Sequence, residues 1–174
     1  MNKIVNALGF QAGWWACVAG VGLGLEIESM VFCAALAGVH LYTSPAPGQE
    51  CKLALLAMLL GIGVDSLLQH LSVIRFDGVS LGPLSPFWLW ALWGIFALTL
   101  NSALAFLKRQ SLILSAILGL VFGPLTYFAG AQLGAATMDA QAIHLLALAL
   151  AWLLALPLLV VAARRTFPTT QDTP

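Results

Sequence analysis

Asp65 and Gln69 lie four residues apart inside a long apolar stretch, and Gly61 lies one helical turn before Asp65. On a helix these three residues share one face, and the cost of exposing a carboxyl group to lipid predicts that this face points into the protein. A carboxyl group in that place can relay a proton, bind a cation or hold helices together. Asp65 and Gln69 are therefore candidate catalytic residues, with structural hydrogen bonding as the open alternative.

Counting about 1.5 Å per residue from the start of each apolar stretch sorts the other polar side chains by depth. One group lies near one face of the membrane and contains Asn6, Gln11, His40, Asn101 and Ser102, with Glu50 just outside. The other group includes Asp65, Gln69, His70, Thr126, Tyr127 and His144. Tyr127 and His40 are added to the candidate catalytic residues, and Gln11, Asn101 and Trp93 are candidate substrate-binding residues. The alternative for the amides is interhelical hydrogen bonding, worth about 1 kcal/mol, and for His40 it is capping or snorkelling.

The composition identifies lipid as the solvent of this chain. Of its 174 residues, 61% are hydrophobic and 8% are charged, whereas a soluble domain carries about 25% charged residues. The net charge is zero, which argues against a nucleic-acid partner. Cys17, Cys33 and Cys51 show no metal-binding or disulfide spacing, and we interpret them as packing residues.

No sequence motif points to a cofactor or a metal. Three histidines are too few for the di-iron site of a membrane desaturase, and His40 and His144 are predicted toward opposite faces, which argues against paired haem ligation. Phosphate-binding loops, dinucleotide-binding fingerprints and nucleophile elbows are absent from the sequence. The sequence therefore predicts no cofactor and no metal site.

Six apolar segments are each long enough to cross a membrane as a helix, which needs about 20 residues. They are residues 4–25, 27–43, 52–72, 86–107, 111–133 and 142–163. A signal peptide is the alternative for the first segment, although that segment is long and contains Asn6 and Gln11. The predicted fold is an all-α bundle of six transmembrane helices. Residues 1–165 form one domain, and residues 166–174 form a disordered cytoplasmic tail.

The basic residues outside the apolar segments set the orientation of the bundle. With six crossings, only Arg75 lies on one side, and the other side receives Lys3, Lys52, Lys108, Arg109, Arg164 and Arg165. Because cytoplasmic loops carry the excess of lysine and arginine, both termini are predicted to lie in the cytoplasm. Trp88 and Trp93 then lie toward the outer interface, where indoles are favoured.

Scattered residues along most of the chain resemble one protein family. They are Asn6, Phe10, Gln11, Trp14, His40, Glu50, Gly61, Asp65, Ser66, Pro86, Trp88, Leu92, Trp93, Thr99, Asn101, Ser102, Gly123, Pro124, Tyr127, Gly130, Leu133 and Gly134. This pattern, from Asn2 to about Pro157, resembles small proteobacterial inner-membrane proteins grouped as domain of unknown function 2878. The resemblance implies location in the bacterial inner membrane. It also implies a role in lipid modification or envelope stress, with membrane lipids as partners.

Three functions remain open at the level of the sequence. A lipid-directed enzyme or accessory subunit should have an apolar groove, open toward lipid, that ends at polar residues such as Asp65, Gln69 and Tyr127. A small-substrate or proton-coupled transporter should instead have a continuous polar path across the bundle. A structural assembly partner, in a homo-oligomer or with another membrane protein, should have every polar group satisfied internally.

Overall fold

The computed structural model describes residues 2–139 and 141–166. These residues form six α-helices: α1 (Lys3–Leu23), α2 (Glu26–Thr43), α3 (Pro47–His70), α4 (Phe87–Ala97), α5 (Leu112–Gln132) and α6 (Ala142–Thr166). A 3₁₀ helix (Ala105–Arg109) follows α4, and two short strands, β1 (Arg75–Phe76) and β2 (Ala136–Thr137), pair antiparallel. The all-α fold class and its six helices are confirmed. Thr166 belongs to α6, and the rest of the predicted tail lies outside the described residues.

Four of the helices are long and apolar enough to cross a membrane, namely α1, α3, α5 and α6. Their mean hydropathy over 18 residues ranges from 1.3 in α1 to 2.7 in α6. Helix α2 carries Glu26 and Glu28 in its first turn, and α4 has 11 residues. The described chain is therefore a helical protein with the features of a membrane protein.

The fourth helix is shorter than the sequence predicts. Helix α4 ends at Ala97, and residues 98–104 form tight turns that lead into the 3₁₀ helix. Thr99 Oγ1 donates to the carbonyl of Phe96 (2.6 Å), and the amide of Ala103 donates to Asn6 Oδ1 (3.2 Å) rather than continuing an α-helical ladder. Such side-chain hydrogen bonds compete with those of a helix. The prediction of one continuous helix over residues 86–107 is therefore wrong beyond Ala97.

Helix α3 packs mainly against α4 and α6. Its buried residues recur every three or four positions and are Glu50, Leu53, Ala57, Gly61, Asp65 and Leu68. This spacing forms a single helix face. The face is polar near each end and apolar between them, so the predicted inward orientation of Asp65 agrees with the structure.

Two helix hairpins complete the bundle. Helices α1 and α2 meet at Gly24, whose φ of 71° is left-handed and suits the glycine that ends a helix. Helices α5 and α6 pack closely because Gly119 and Gly123 leave space for Trp152, whose backbone and ring would overlap a side chain at either position. Cys17 and Cys33 are buried between α1 and α2, with their Sγ atoms 3.4 Å apart.

The connections at one end of the bundle are tied to one another. Strand β1 pairs with β2, and the amide of Asp77 donates to the carbonyl of Ala135 (3.1 Å). Glu26 Oε2 accepts the amide of Val79 (2.8 Å), which fixes the long connection before α4 to the start of α2. These contacts tie the connection between α3 and α4 to the loop before α6 and to the start of α2.

Candidate functional site

Asp65 is the centre of a buried hydrogen-bonded cluster. Its side chain is 0% exposed. Trp93 Nε1 donates to Oδ2 over 2.8 Å, and the Tyr127 hydroxyl donates to Oδ1 over 2.5 Å. The carboxyl group thus joins α3 to α4 and α5 through one donor from each. Asp65, Trp93 and Tyr127, which the sequence suggests as separate candidates, therefore form one cluster.

Aromatic packing fixes the positions of both donors. The Trp93 ring stacks on Trp152, with centroids 4.8 Å apart and planes 12° apart, and Tyr127 meets Trp152 edge-on at 6.2 Å. Gly61 makes room for this arrangement, because a Cβ atom there would overlap the Trp93 indole. Offset stacks and edge-to-face pairs are the favoured aromatic geometries. The rings are therefore held rigidly beside the carboxyl group.

The two aromatic donors also form part of the wall of an apolar groove between α1 and α5. The groove has a volume of about 580 Å³, within the range of about 300–1,000 Å³ that is usual for ligand pockets. Its sides include Phe10 and Trp14 from α1 and Phe122 from α5, and its floor includes Trp93, Tyr127 and Trp152. Tyr127 is the one ionisable residue among the described residues that line it.

Two other predicted site residues lie apart from this cluster. Gln69 is half-buried, and its Oε1 atom is shielded from solvent without a hydrogen-bond partner among the described residues. Gln11 is exposed and lines the groove from α1. Asp65 itself is not among the lining residues. The carboxyl group therefore lies behind Trp93 and Tyr127 rather than in contact with the contents of the groove.

A second polar network lies at the other end of α3. His40, in the last turn of α2, places Nε2 3.3 Å from Glu50 Oε1, although the contact is not aligned as a hydrogen bond. Glu50 Oε2 accepts from Asn101 Nδ2 (3.1 Å), and Asn101 Oδ1 accepts from Lys108 Nζ (2.8 Å). On the far side of His40, Asn6 Nδ2 lies 3.3 Å from Nδ1. Two candidate residues, His40 and Asn101, are thus linked through Glu50.

The hydrogen bonds of Asn6 determine which nitrogen of His40 carries the proton. Since Asn6 Oδ1 accepts the amide of Ala103, its Nδ2 group must face His40 and act as a donor. His40 Nδ1 is then the acceptor, and the ring proton lies on Nε2, toward Glu50. The network therefore places the His40 ring between the Asn6 amide and the Glu50 carboxyl group.

Lys108 connects this network to the basic end of the bundle. Its Nζ atom donates to Asn101, which donates to Glu50, and Arg109 follows Lys108 in the chain. Glu50, Asn101 and Lys108 therefore form one chain of hydrogen bonds at this end of the bundle.

Several residues of these two sites are not singled out by the sequence. Trp152 sits in the middle of an apolar helix and has no polar neighbour in sequence that would mark it. Glu50 is predicted just outside the membrane, yet it is 4% exposed and lies between His40 and Asn101. An acidic residue beside a proline-containing loop is an ordinary surface signal, so only the packing of α2 against α3 shows its burial. Asn6, grouped with Gln11 by depth, makes the contacts to His40 and Ala103.

Comparison with known proteins gives one match. The model of a family described as a protein of unknown function, DUF2878, matches residues 3–158, a range that includes the Asp65 cluster, the groove and His40 with Glu50. No curated protein matches the chain, and no solved structure matches it. Since the match covers most of the sequence, the chain belongs to the DUF2878 family.

Proposed function

We propose that this protein binds a membrane lipid, with an acyl chain of that lipid lying in the groove between α1 and α5. The groove itself is the observation that carries the proposal. Its lining is mostly apolar, with Gln11 and Thr126 as polar residues, and its floor is an aromatic surface held in place by Asp65. Pockets of this kind, apolar with a few fixed polar groups, are typical ligand sites.

We further propose that the protein lies in the inner membrane of a bacterium and crosses it six times, with both termini in the cytoplasm. The four long apolar helices support crossings by α1, α3, α5 and α6. Helix α2 has 18 residues, and α4 with its following turns and 3₁₀ helix extends from Phe87 to Arg109. Irregular backbone within a membrane is tolerated where protein covers it. Leu98, Leu100 and Leu107 are all buried.

The location of the groove between two membrane helices favours an acyl chain as its ligand. Helix α1 packs on α2 and α4, and α5 packs mainly on α6, so the groove lies between two membrane helices that border it on opposite sides. Phe122 and Leu125 on its rim are 59% and 55% exposed. In a bilayer such side chains face hydrocarbon, and a chain can reach the groove sideways without crossing a polar surface.

The position of Asp65 supports binding rather than chemistry on the lipid. Its carboxyl oxygens accept from Trp93 and Tyr127, and the side chain is completely buried behind them. Its role in the proposal is to position the two rings that the lipid touches. A protein that holds a lipid in this way suits an accessory subunit in lipid modification, which presents a chain to an enzyme.

The buried face of α3 argues against transport of a proton or a cation through the bundle. Between Glu50 and Asp65 this face carries Leu53, Ala57 and Gly61. The two carboxyl groups are about 22 Å apart along the helix, at about 1.5 Å per residue. A proton or a cation moving between them would meet no polar side chain on this face of the described helix.

Native mass spectrometry of the purified protein tests the proposal. Gly130 lines the groove on α5, and a Cβ atom there would meet open space, so Gly130→Phe places an aromatic side chain at the groove. Gly63→Phe is the matched control, because a side chain at Gly63 also meets open space and Gly63 is not a lining residue. We expect Gly130→Phe to remove retained phospholipid and Gly63→Phe to keep it. Equal lipid retention by both folded variants would refute the groove as a lipid site.

A further inference from the structure

The two ends of the groove between α1 and α5 differ in charge. At one end the lining residues include Leu104, Phe106 and Leu107, and the chain continues directly into Lys108 and Arg109. At the other end they include Phe76 and Ala136, next to one basic residue, Arg75, and the acidic residues Asp77 and Asp139. A molecule with an apolar chain and an anionic head is therefore favoured in one direction only.

Arg164 reinforces the basic end from a different helix. Its Nη2 atom donates to the carbonyl of Gln110 (2.6 Å), the residue that follows Arg109 at the end of the 3₁₀ helix. The Nε atom of Arg164 is shielded from solvent and has no hydrogen-bond partner among the described residues. This atom is closed to a ligand as well as to water, so a headgroup oxygen must approach the Nη atoms of the half-buried side chain.

The apolar walls cannot by themselves select a lipid. Lipid tails are as apolar as leucine, so a membrane helix gains little hydrophobic free energy by exchanging one for the other. Shape and the polar headgroup must supply selectivity. Arginine suits a phosphate headgroup because its planar guanidinium can donate two parallel hydrogen bonds to phosphate oxygens.

We propose that Arg109 and Arg164 bind the phosphate of an anionic glycerophospholipid whose acyl chain lies in the groove. This inference rests on the proposed function and adds the class of lipid and its direction in the membrane. Lys108 takes a secondary part, since its ammonium group is already bonded to Asn101 and attracted by Glu50. Arg109 is exposed and Arg164 half-buried, which leaves the site open to a headgroup at the membrane surface.

Competition between phosphatidylglycerol and phosphatidylcholine, measured by native mass spectrometry on the full chain, tests the inference. The wild-type protein should prefer phosphatidylglycerol to phosphatidylcholine. In the double variant Arg109→Gln/Arg164→Gln, each substitution should reduce this binding preference about fivefold. Lys3→Gln/Lys52→Gln is the matched control, since both lysines are exposed basic residues that do not line the groove. Arg109→Gln alone, at an exposed position, gives a variant whose folding should be unaffected.

Other results would overturn either the headgroup site or the lipid-binding groove. An equal loss of preference in the arginine and lysine variants would show general surface charge and overturn the inference. Glycerophosphoglycerol, which keeps the headgroup but lacks acyl chains, should bind much more weakly than phosphatidylglycerol; equally tight binding would indicate a free-phosphate site instead. If Gly130→Phe removes both lipids while the arginine variant keeps the full preference for phosphatidylglycerol, the groove binds lipid but the two arginines do not bind its phosphate. If Gly130→Phe removes neither lipid, the proposed function itself fails.

Discussion

Trp93 is held by α3 at two points, since its Nε1 atom donates to Asp65 over 2.8 Å and its indole ring covers Gly61 one turn earlier. The absence of a side chain at Gly61 and the acceptor at Asp65 therefore both determine where the Trp93 ring lies. That ring also forms part of the groove floor. A substitution at Gly61 or Asp65 should therefore move Trp93 and so alter the floor of the groove.

Substitution of Gly61 should destabilise the protein. In Gly61→Ala the added Cβ overlaps the Trp93 ring, and overpacking of this kind costs about 1–3 kcal/mol. Gly63→Ala is the control, because its Cβ meets open space on the same helix. Thermal unfolding in detergent should show a lower midpoint for Gly61→Ala alone. Equal midpoints for the two variants would mean that Trp93 does not rest on Gly61.

Asp65 should tolerate asparagine better than leucine. Asp65→Leu leaves the Trp93 and Tyr127 donors without an acceptor, at a cost of about 1–3 kcal/mol for each buried group. Asp65→Asn keeps one acceptor, so we expect it to fold and to retain part of the bound phospholipid. If Asp65→Asn folds normally and yet loses as much lipid as Asp65→Leu, the remaining acceptor does not hold the rings in place and the positioning role is wrong.

The hydrogen bonds around His40 predict one tautomer. Asn6 donates to Nδ1, so the proton should lie on Nε2, the nitrogen that faces Glu50. Nitrogen-15 chemical shifts of the His40 ring, assigned by comparison with His40→Gln, distinguish the two tautomers. A proton on Nδ1 would require the Asn6 amide to be reversed, and the hydrogen bond from Ala103 to Asn6 would then be absent.

The proposed topology predicts where reporter fusions are active. A reporter that works only in the periplasm should be silent when fused after Arg165 and active when inserted near Asp77. The reason is that six basic residues lie on one side in this topology and Arg75 lies on the other. The opposite pattern of activity would reverse the orientation, and with it the membrane face on which the headgroup site lies.

Most helix ends were predictable from this sequence to within a few residues, because long apolar segments separated by glycine, proline and charge leave few alternatives. Helix α3 is an exception at its start, since it begins at Pro47 rather than near Lys52. The inward orientation of Asp65 followed from the cost of exposing a carboxyl group to lipid. The end of α4 at Ala97 was not predictable. It depends on Asn6, about a hundred residues earlier in the chain, accepting the amide of Ala103.

The composition of the Asp65 cluster shows the same limit. Periodicity placed Asp65 and Gln69 on one helix face, but it did not show which aromatic donors from α4 and α5 would meet the carboxyl group. Trp152 illustrates why, since its place between Gly119, Gly123 and Trp93 depends on how α5 and α6 approach each other. Such interhelical contacts come from tertiary packing, which a single sequence does not encode locally.

Photochemical crosslinking in membranes tests most directly whether a lipid chain lies in the groove. A phospholipid with a diazirine on its acyl chain should label peptides that contain Phe10 of α1 and Phe122 of α5, both of which line the groove. Gly130→Phe should suppress this labelling, whereas Gly63→Phe should preserve it. Labelling spread evenly over the exposed faces of all the long helices, and unchanged by Gly130→Phe, would contradict a lipid-binding groove.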